Sequence, residues 1–123
     1  MSQPDASRAI AEQFLQHYYT TFEGDRSALA SLYRNQSKLT YEDKTFKGAD
    51  IMGQIGAMPA AKREFASFMS QYTDDKDSGI LIMLHGLLGD EGLRMNFIHT
   101  FNLSQDEGGY FVNNEMFQLV FNA

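Results

Sequence analysis

Residues 32–46 join two regions of different periodicity, and this junction limits the folds that the chain can adopt. Before the junction, apolar residues recur at the spacing of one helix face, and after it most segments alternate with the period of a strand. Tyr41 and Glu42, an aromatic ring and a carboxylate, are neighbours within the junction. Helices followed by strands are typical of an α+β fold in which the helices cover one face of a sheet.

The length and composition indicate a globular chain. Its 123 residues fit one domain with one core, preceded by a polar arm over residues 1–6, and 43% of them are hydrophobic. The formal net charge of -6 disfavours nucleic acid as a partner, because phosphate backbones are also negative. The lack of Cys excludes disulfides and thiolate zinc sites. Since no run is apolar and long enough for a signal peptide or a membrane span, we expect a soluble, intracellular protein.

Three helices are predicted in the first half of the chain. The first begins at Ser7 and ends near Gly24, where we expect the left-handed conformation that terminates many helices. The second is predicted over residues 26–33 and the third over residues 49–57. All three present an apolar side, which indicates packing against one common core.

Five strands are predicted, over residues 38–43, 65–72, 80–88, 93–103 and 110–121. Residues 35–37 are predicted to form a turn before the first strand. The segment 65–72 fits a helical turn equally well, because its apolar residues cluster. A metal site is not expected, since His17, His85 and His99 lack the spacing of a ligand set.

Several short motifs occur in a recognisable order. They are Gln16-His17-Tyr18-Tyr19, Asp25-Arg26, Leu39-Thr40-Tyr41-Glu42 and the closing Asn114-Glu115-Met116-Phe117. Together they resemble the nuclear transport factor 2 family, from about residue 14 to the C-terminus. The resemblance implies an α+β, cone-shaped fold, with three N-terminal helices packed on a strongly bent antiparallel sheet that usually dimerises.

The resemblance also implies a carrier that is not an enzyme and needs no cofactor. Members of the family bind the small GTPase Ran in its GDP form, carry it through the nuclear pore into the nucleus and contact the Phe-Gly repeats of nucleoporins. The expected locations are therefore the cytoplasm, the nucleus and the pore. A Phe of the GTPase enters a hydrophobic cavity, and carboxylates around the cavity pair with its basic residues.

Carried over by position, the resemblance implies that Tyr41 is the aromatic residue of this cavity and that Glu42 is a carboxylate at its rim. The apolar positions of the cavity correspond to Met58, Met83, Met95, Met116 and Phe117. Asp90 and Glu91 fall in the acidic turn that the family uses for ion pairs. An apolar pocket that desolvates an aromatic anchor, with charges around it, is typical of a binding hot spot.

Four positions depart from the family pattern. Ser7 stands in place of the Trp that contacts Phe-Gly repeats, and this departure argues against that contact. Arg63 replaces an aliphatic residue near the cavity, where a cation would repel a basic partner. Phe65 replaces a His and is expected to narrow the pocket. The acidic turn is one residue shorter and leaves Gly92 where a second Asp is expected.

Two other functions remain open at this stage. One is a scaffold of the same fold that forms a heterodimer with an mRNA export or ribonucleoprotein component. The other is a pocket enzyme of the isomerase or dehydratase type, because folds of this class host both enzymes and carriers. Such an enzyme would use Glu42 or Asp43 with the hydroxyl of Tyr18 or Tyr33 as its acid and base.

Overall fold

The computed structural model describes residues 5–59, 61–89 and 94–121. The helices are α1 (Ser7–Glu23), a 3₁₀ helix (Arg26–Leu32) and α2 (Asp50–Ala57). The strands are β1 (Tyr33–Tyr41), β2 (Lys44–Lys47), β3 (Arg63–Tyr72), β4 (Ile80–Leu88), β5 (Met95–Asp106) and β6 (Gly109–Val120). Within the described residues, none of the helices has the length and hydropathy needed to span a bilayer.

The six strands form one sheet in the order β2-β1-β6-β5-β4-β3. Strands β1 and β6 run parallel, with Leu39 opposite Glu115 and Tyr41 opposite Phe117, whereas the other neighbouring pairs that the structure describes are antiparallel. The sheet is therefore mixed, and the expectation of a purely antiparallel sheet is wrong at this pair. The α+β class, with helices on one face of a cone-like fold, is confirmed.

The core lies between the helices and the inner face of the sheet. Helix α1 buries one stripe of side chains, namely Ala11, Leu15, Tyr18, Tyr19 and Phe22. The sheet contributes alternate residues of its central strands, including Ile80, Ile82, Leu84, Phe97, Phe101 and Phe117. The amphipathic pattern of α1 and the alternation of β5 thus determine which sides face each other.

The other side of the sheet, which we call the outer face, exposes several large apolar side chains among polar ones. No helix of the described residues covers it. Its exposed large side chains are Met69, Leu81, Met83, Ile98, Met116 and Val120, which are between 38% and 65% accessible. Large apolar side chains exposed together on one face of a sheet are typical of a protein–protein contact.

The first strand starts earlier than the sequence predicts. β1 begins at Tyr33, and the turn predicted over residues 35–37 is instead an irregularity in the pairing of β1 with β6. Ser37 allows it, because its hydroxyl donates to the carbonyl oxygen of Val112 at 2.5 Å and accepts from the backbone N–H of Arg34 at 2.8 Å. A side chain thus satisfies backbone groups that the strand ladder leaves free.

Two further local predictions differ from the structure, and one predicted alternative is resolved. Gly24 ends α1 with φ −97°, so the left-handed conformation expected there is wrong. The second helix is a short 3₁₀ helix rather than an α-helix. Segment 65–72 belongs to a strand, and its helical alternative is wrong because β3 pairs with β4 from Arg63 to Tyr72.

Candidate functional site

Two aromatic rings are stacked at one end of the parallel strand pair. Tyr41 and Phe117 lie opposite each other in the register, with ring centroids 5.3 Å apart and an interplanar angle of 5°. Phe97 stacks against Phe117 from the neighbouring strand at 5.1 Å. Tyr41 is half-buried and Phe117 is buried, so the stack extends from the core to the surface.

Glu42 is fixed at the edge of this aromatic stack. Its backbone N–H donates to the carbonyl oxygen of Phe117 at 2.9 Å, and its Oε1 accepts from the backbone N–H of Leu119 at 2.8 Å. The residue has φ 58° and lies in the turn after β1, so the strand predicted to extend to residue 43 ends two residues earlier. The side chain is exposed, and its carboxylate is held at the backbone of Leu119, two residues along β6 from Phe117.

A buried cation lies on the core side of the stack. The central guanidinium carbon of Arg63 is 4.1 Å from the ring centroid of Phe22 and 4.6 Å from that of Phe117. Its Nη2 donates to Sδ of Met58 at 3.4 Å, and the residue is only 5% exposed. We call the space bounded by Phe22, Met58 and Phe117 the mouth pocket. In this structure the Arg63 guanidinium occupies it.

A second arginine fixes one wall of the mouth pocket. Nη1 of Arg26 donates to the carbonyl oxygens of Ile55 at 3.0 Å and Met58 at 2.7 Å, and its guanidinium lies 3.9 Å from the Phe22 ring centroid. The Ile55 carbonyl also accepts the backbone N–H of Met58 at 3.2 Å, so Arg26 adds a second hydrogen bond there and bonds the Met58 carbonyl just beyond the end of α2. Arg26 therefore holds Met58 and the end of α2 against α1.

A surface groove of about 400 Å³ lies beside the pocket, between α1 and the first residues of β3. Tyr19, Glu23, Arg63 and Phe65 contribute to its lining. Phe65 stacks on Tyr19, with ring centroids 6.0 Å apart, and so belongs to the groove. Of the two departures from the family pattern near the pocket, Arg63 and Phe65, it is Arg63 that fills the mouth pocket. Met95, which is predicted to line the cavity, is half-buried on the inner face of the sheet.

The remaining predicted site residues are not all brought to the mouth pocket. Met83 and Met116 are 45% and 55% exposed on the outer face, so the expectation that they line the cavity is wrong. Their neighbours Ile82, Leu84 and Phe117 occupy the inward positions, and strand alternation places the two Met outward. The predicted ion-pair residues Asp90 and Glu91 lie outside the described residues. Ser7 is buried, with its Oγ 2.9 Å from Oγ of Ser70.

A buried polar network lies deeper in the core. The carboxylate of Glu115 accepts hydrogen bonds from the hydroxyls of Tyr18 at 2.8 Å and Tyr33 at 2.5 Å. Nε2 of His99 lies 2.6 Å from the same carboxylate, and Nδ1 of His99 lies 2.6 Å from the hydroxyl of Tyr19. The proposed enzymatic set is not assembled, because both tyrosine hydroxyls contact Glu115 instead of Glu42.

The pKa values indicate how this network is charged. Burial alone raises the pKa of Glu115, but the hydrogen bond from His99, the attraction of His99 in its charged form and the hydrogen bonds from Tyr33 and Tyr18 outweigh burial and bring that pKa below its ordinary value. Burial lowers the pKa of His99, although the hydrogen bond with Glu115 opposes the shift. Glu115 is therefore ionised and His99 neutral at pH 7. Nε2 of His99 then carries the proton and donates to Glu115, and Nδ1 accepts from Tyr19.

Sequence reasoning missed the roles of Glu115 and Arg63. A signal for Glu115 existed, because it has the same strand parity as Phe117 and Leu119, whose side chains face the core. For Arg63 the sequence shows a departure from the family, and the structure adds that the guanidinium is buried. Within the part of the chain that the structure describes, no three His, Cys, Asp or Glu side chains form a metal-binding group.

Comparison with known proteins agrees with this architecture. Residues 10–119 match the model of the nuclear transport factor 2 (NTF2) domain. Nuclear transport factor 2 of Emericella nidulans is 38% identical over 121 residues, which cover 94% of this chain and 97% of that protein.

Two solved structures are similar over nearly the whole chain. Nuclear transport factor 2 from Cryptosporidium parvum has a TM-score of 0.80 and 29% identity, covering 98% of this chain and 100% of that one. The yeast UBP3-associated protein BRE5 has a TM-score of 0.83 and 25% identity, covering 95% and 98%. The match over residues 10–119 and the relatives of this length establish that the chain belongs to the nuclear transport factor 2 family.

Proposed function

We propose that this chain is a nucleocytoplasmic carrier that binds the GDP form of the small GTPase Ran and mediates its import through the nuclear pore. Membership in the nuclear transport factor 2 family supports the transport role. The observation that supports the binding site is the position of Glu42, whose backbone N–H donates to the carbonyl oxygen of Phe117 and whose exposed carboxylate accepts a hydrogen bond from the backbone N–H of Leu119.

The mechanism joins an aromatic anchor to a charged rim. A Phe of the partner enters the mouth pocket and gains free energy by leaving water. Glu42 pairs with a Lys or Arg beside that Phe, and Asp90 and Glu91 are proposed to act in the same way. The net charge of -6 favours encounter with a basic surface.

We propose that the chain acts without catalysis and without a cofactor. The one carboxylate that contacts tyrosine hydroxyls, Glu115, is 2% exposed and its hydrogen bonds are directed to core residues. A substrate therefore has no direct access to it in this structure. The curated relatives are named for transport, which favours a carrier over both the scaffold and the enzyme.

The outer face is proposed to bind a second copy of the chain, since the family resemblance implies a homodimer through the sheet. Met83 and Met116 then serve this interface instead of the cavity. Contact with Phe-Gly repeats is proposed to use a surface other than Ser7, because that side chain is buried. The proposed locations are the cytoplasm, the nucleus and the pore.

Calorimetric titration with Ran tests the function. We expect micromolar or tighter binding of Ran loaded with GDP and no heat with Ran loaded with a GTP analogue. Glu42→Gln keeps an oxygen acceptor for the N–H of Leu119 but removes the charge, so we expect the affinity to fall about tenfold. The matched control is Glu107→Gln, which changes an exposed carboxylate in the turn before β6. Equal affinities of the two variants would refute the role of Glu42, and no heat with either form of Ran would refute the carrier function.

A further inference from the structure

The guanidinium of Arg63 competes for the space that a partner's aromatic ring needs. It lies over the rings of both Phe22 and Phe117, at 4.1 and 4.6 Å, and the residue is buried. A guanidinium is planar and stacks on aromatic faces much as a ring does. Since protein interiors are close-packed, the mouth pocket cannot hold both the Arg63 guanidinium and an entering Phe.

The contacts of Arg63 are weak for a buried cation. Its Nη2 faces the thioether sulfur of Met58, which is a weak acceptor. Its Nε has no hydrogen-bond partner among the described residues. Within residues 5–59, 61–89 and 94–121, no carboxylate forms an ion pair with its guanidinium. Burial of a charge without a close counter-ion costs free energy, and the two aromatic contacts offset this cost by a small margin, so the closed position is favoured only weakly. Release of the guanidinium into water recovers its hydration.

The structure offers the released side chain a place to go. The groove beside the mouth pocket is lined by Arg63 itself and by Glu23 at the end of α1. Oε1 of Glu23 already accepts a hydrogen bond from the backbone N–H of Arg63 at 3.3 Å. A carboxylate therefore stands next to the residue, where the released guanidinium can pair with it.

We propose that Arg63 is a displaceable plug of the mouth pocket. In the free protein its guanidinium closes the pocket, and it moves into the groove beside Glu23 when an aromatic side chain of the partner enters. This inference rests on the proposed function, because it concerns the same pocket and the same partner. The plug lowers the affinity for Ran-GDP and restricts binding to partners whose aromatic residue can displace it.

Two substitutions and two measurements test the plug. Arg63→Ala opens the pocket, whereas Arg63→Met removes the charge but refills most of the volume. We expect benzene to shift the NMR signals of the Phe22 and Phe117 rings in Arg63→Ala, and not in the wild-type chain or in Arg63→Met. In titrations with Ran-GDP, we expect Arg63→Ala to bind about tenfold more tightly than wild type, since entry no longer displaces a stacked cation.

The carboxylate of Glu23, which is proposed to pair with the released guanidinium, gives an independent test that does not require Arg63→Ala to fold. In a chain that keeps Arg63, Glu23→Gln removes the charge that accepts the released guanidinium, so we expect Ran-GDP affinity to fall by at most about fivefold. In Arg63→Met the same change at Glu23 is expected to have no effect. Glu12→Gln, on the exposed side of α1, is the control and should leave affinity unchanged.

The outcomes separate the plug from the carrier function. If wild type binds Ran-GDP and Arg63→Ala binds it equally or more weakly, or if wild type takes up benzene as readily as Arg63→Ala, the plug is refuted. An effect of Glu23→Gln that persists in Arg63→Met refutes the receiving role of Glu23. If no variant binds Ran-GDP, the carrier function fails, and the benzene comparison still decides whether Arg63 closes the pocket.

Discussion

Nε2 of His99 lies 2.6 Å from Oε2 of Glu115, and both side chains are buried beneath α1. The same carboxylate binds the hydroxyls of Tyr18 in α1 and Tyr33 at the start of β1. One buried anion therefore connects α1, β1, β5 and β6. Because unpaired buried polar groups are costly, the network stabilises the one arrangement in which every hydrogen bond is made.

Glu115→Gln is expected to lower the free energy of unfolding by about 3 kcal/mol. The substitution replaces the anion with a neutral amide. Its NH₂ group then faces Tyr18, Tyr33 and His99, which donate to the carboxylate in the wild-type chain. Urea unfolding at pH 7 measures the effect. Glu107→Gln removes an exposed carboxylate from the neighbouring turn and is expected to change stability by less than about 0.5 kcal/mol. Equal unfolding midpoints for the two variants would show that the network contributes no net stability.

The buried His99 is expected to make stability fall as the medium becomes mildly acidic. Because the pKa of His99 is lowered in the folded state, only the unfolded chain takes up this proton as pH drops below the ordinary value of 6.5. The contribution of Glu115, whose pKa is also lowered, is present above its ordinary value of 4.5 and is lost as pH falls through the lowered value. The His99 effect therefore appears first.

Urea unfolding between pH 7.5 and pH 5 isolates the His99 effect. We expect the wild-type free energy of unfolding to decrease as pH falls over this range. The slope of that decrease should be smaller in His99→Gln, because the introduced amide can donate a hydrogen bond but does not titrate. His17→Gln removes an exposed histidine of α1 and should keep the wild-type slope. A slope that is the same in all three chains contradicts the assignment of a neutral, buried His99.

The helices and most strands could be predicted because burial of one side creates a periodic pattern. The alternation from Phe97 to Phe101 indicates a strand with one buried face, and the structure confirms it. The start of β1 was missed because residues 35–37 are polar and resemble a turn. The hydroxyl of Ser37 completes the hydrogen bonding there, which is a tertiary effect that local pattern does not contain.

The candidate site was predictable where sequence neighbours remain neighbours in space. Tyr41 and Glu42 both reach the end of β1, and the parallel pairing with β6 brings Phe117 beside them. The faces of Met83 and Met116 were misassigned for a physical reason. β4 carries apolar residues on both faces, so the alternation of residue types does not show which face is buried. In β6 the polar Glu115 faces inward and the apolar Met116 faces outward, the reverse of the usual pattern.

Gly53→Ala is expected to stabilise the chain by about 1 kcal/mol. Gly53 lies within α2, where glycine loses more backbone entropy on folding than alanine, and a Cβ added there meets no heavy atom within 4 Å. Thermal unfolding measures the change as an increase in Tm. A decrease in Tm would contradict the open surroundings of this position.

Gly86→Ala is expected to have the opposite effect and to destabilise by about 1–3 kcal/mol. A Cβ at Gly86 comes within 2.5 Å of the Phe97 ring and also meets the carbonyl oxygen of Glu64 in β3. Two adjacent strands and a core ring must therefore shift. The same thermal measurement compares Gly86→Ala with Gly53→Ala, and a Tm equal to wild type would show that the core accommodates the methyl group without cost.

Met116→Glu is expected to disrupt the proposed homodimer. Met116 is 55% exposed on the outer face of β6, the face that also exposes Ile98 of the adjacent β5 and Met83 of β4, one strand further away. A carboxylate in the proposed interface loses its hydration. Sedimentation equilibrium should give twice the chain mass for wild type and the single mass for Met116→Glu, with unchanged circular dichroism. Gln13→Glu, on the exposed side of α1, is the matched control and should remain dimeric. A monomeric wild-type chain would refute the homodimer.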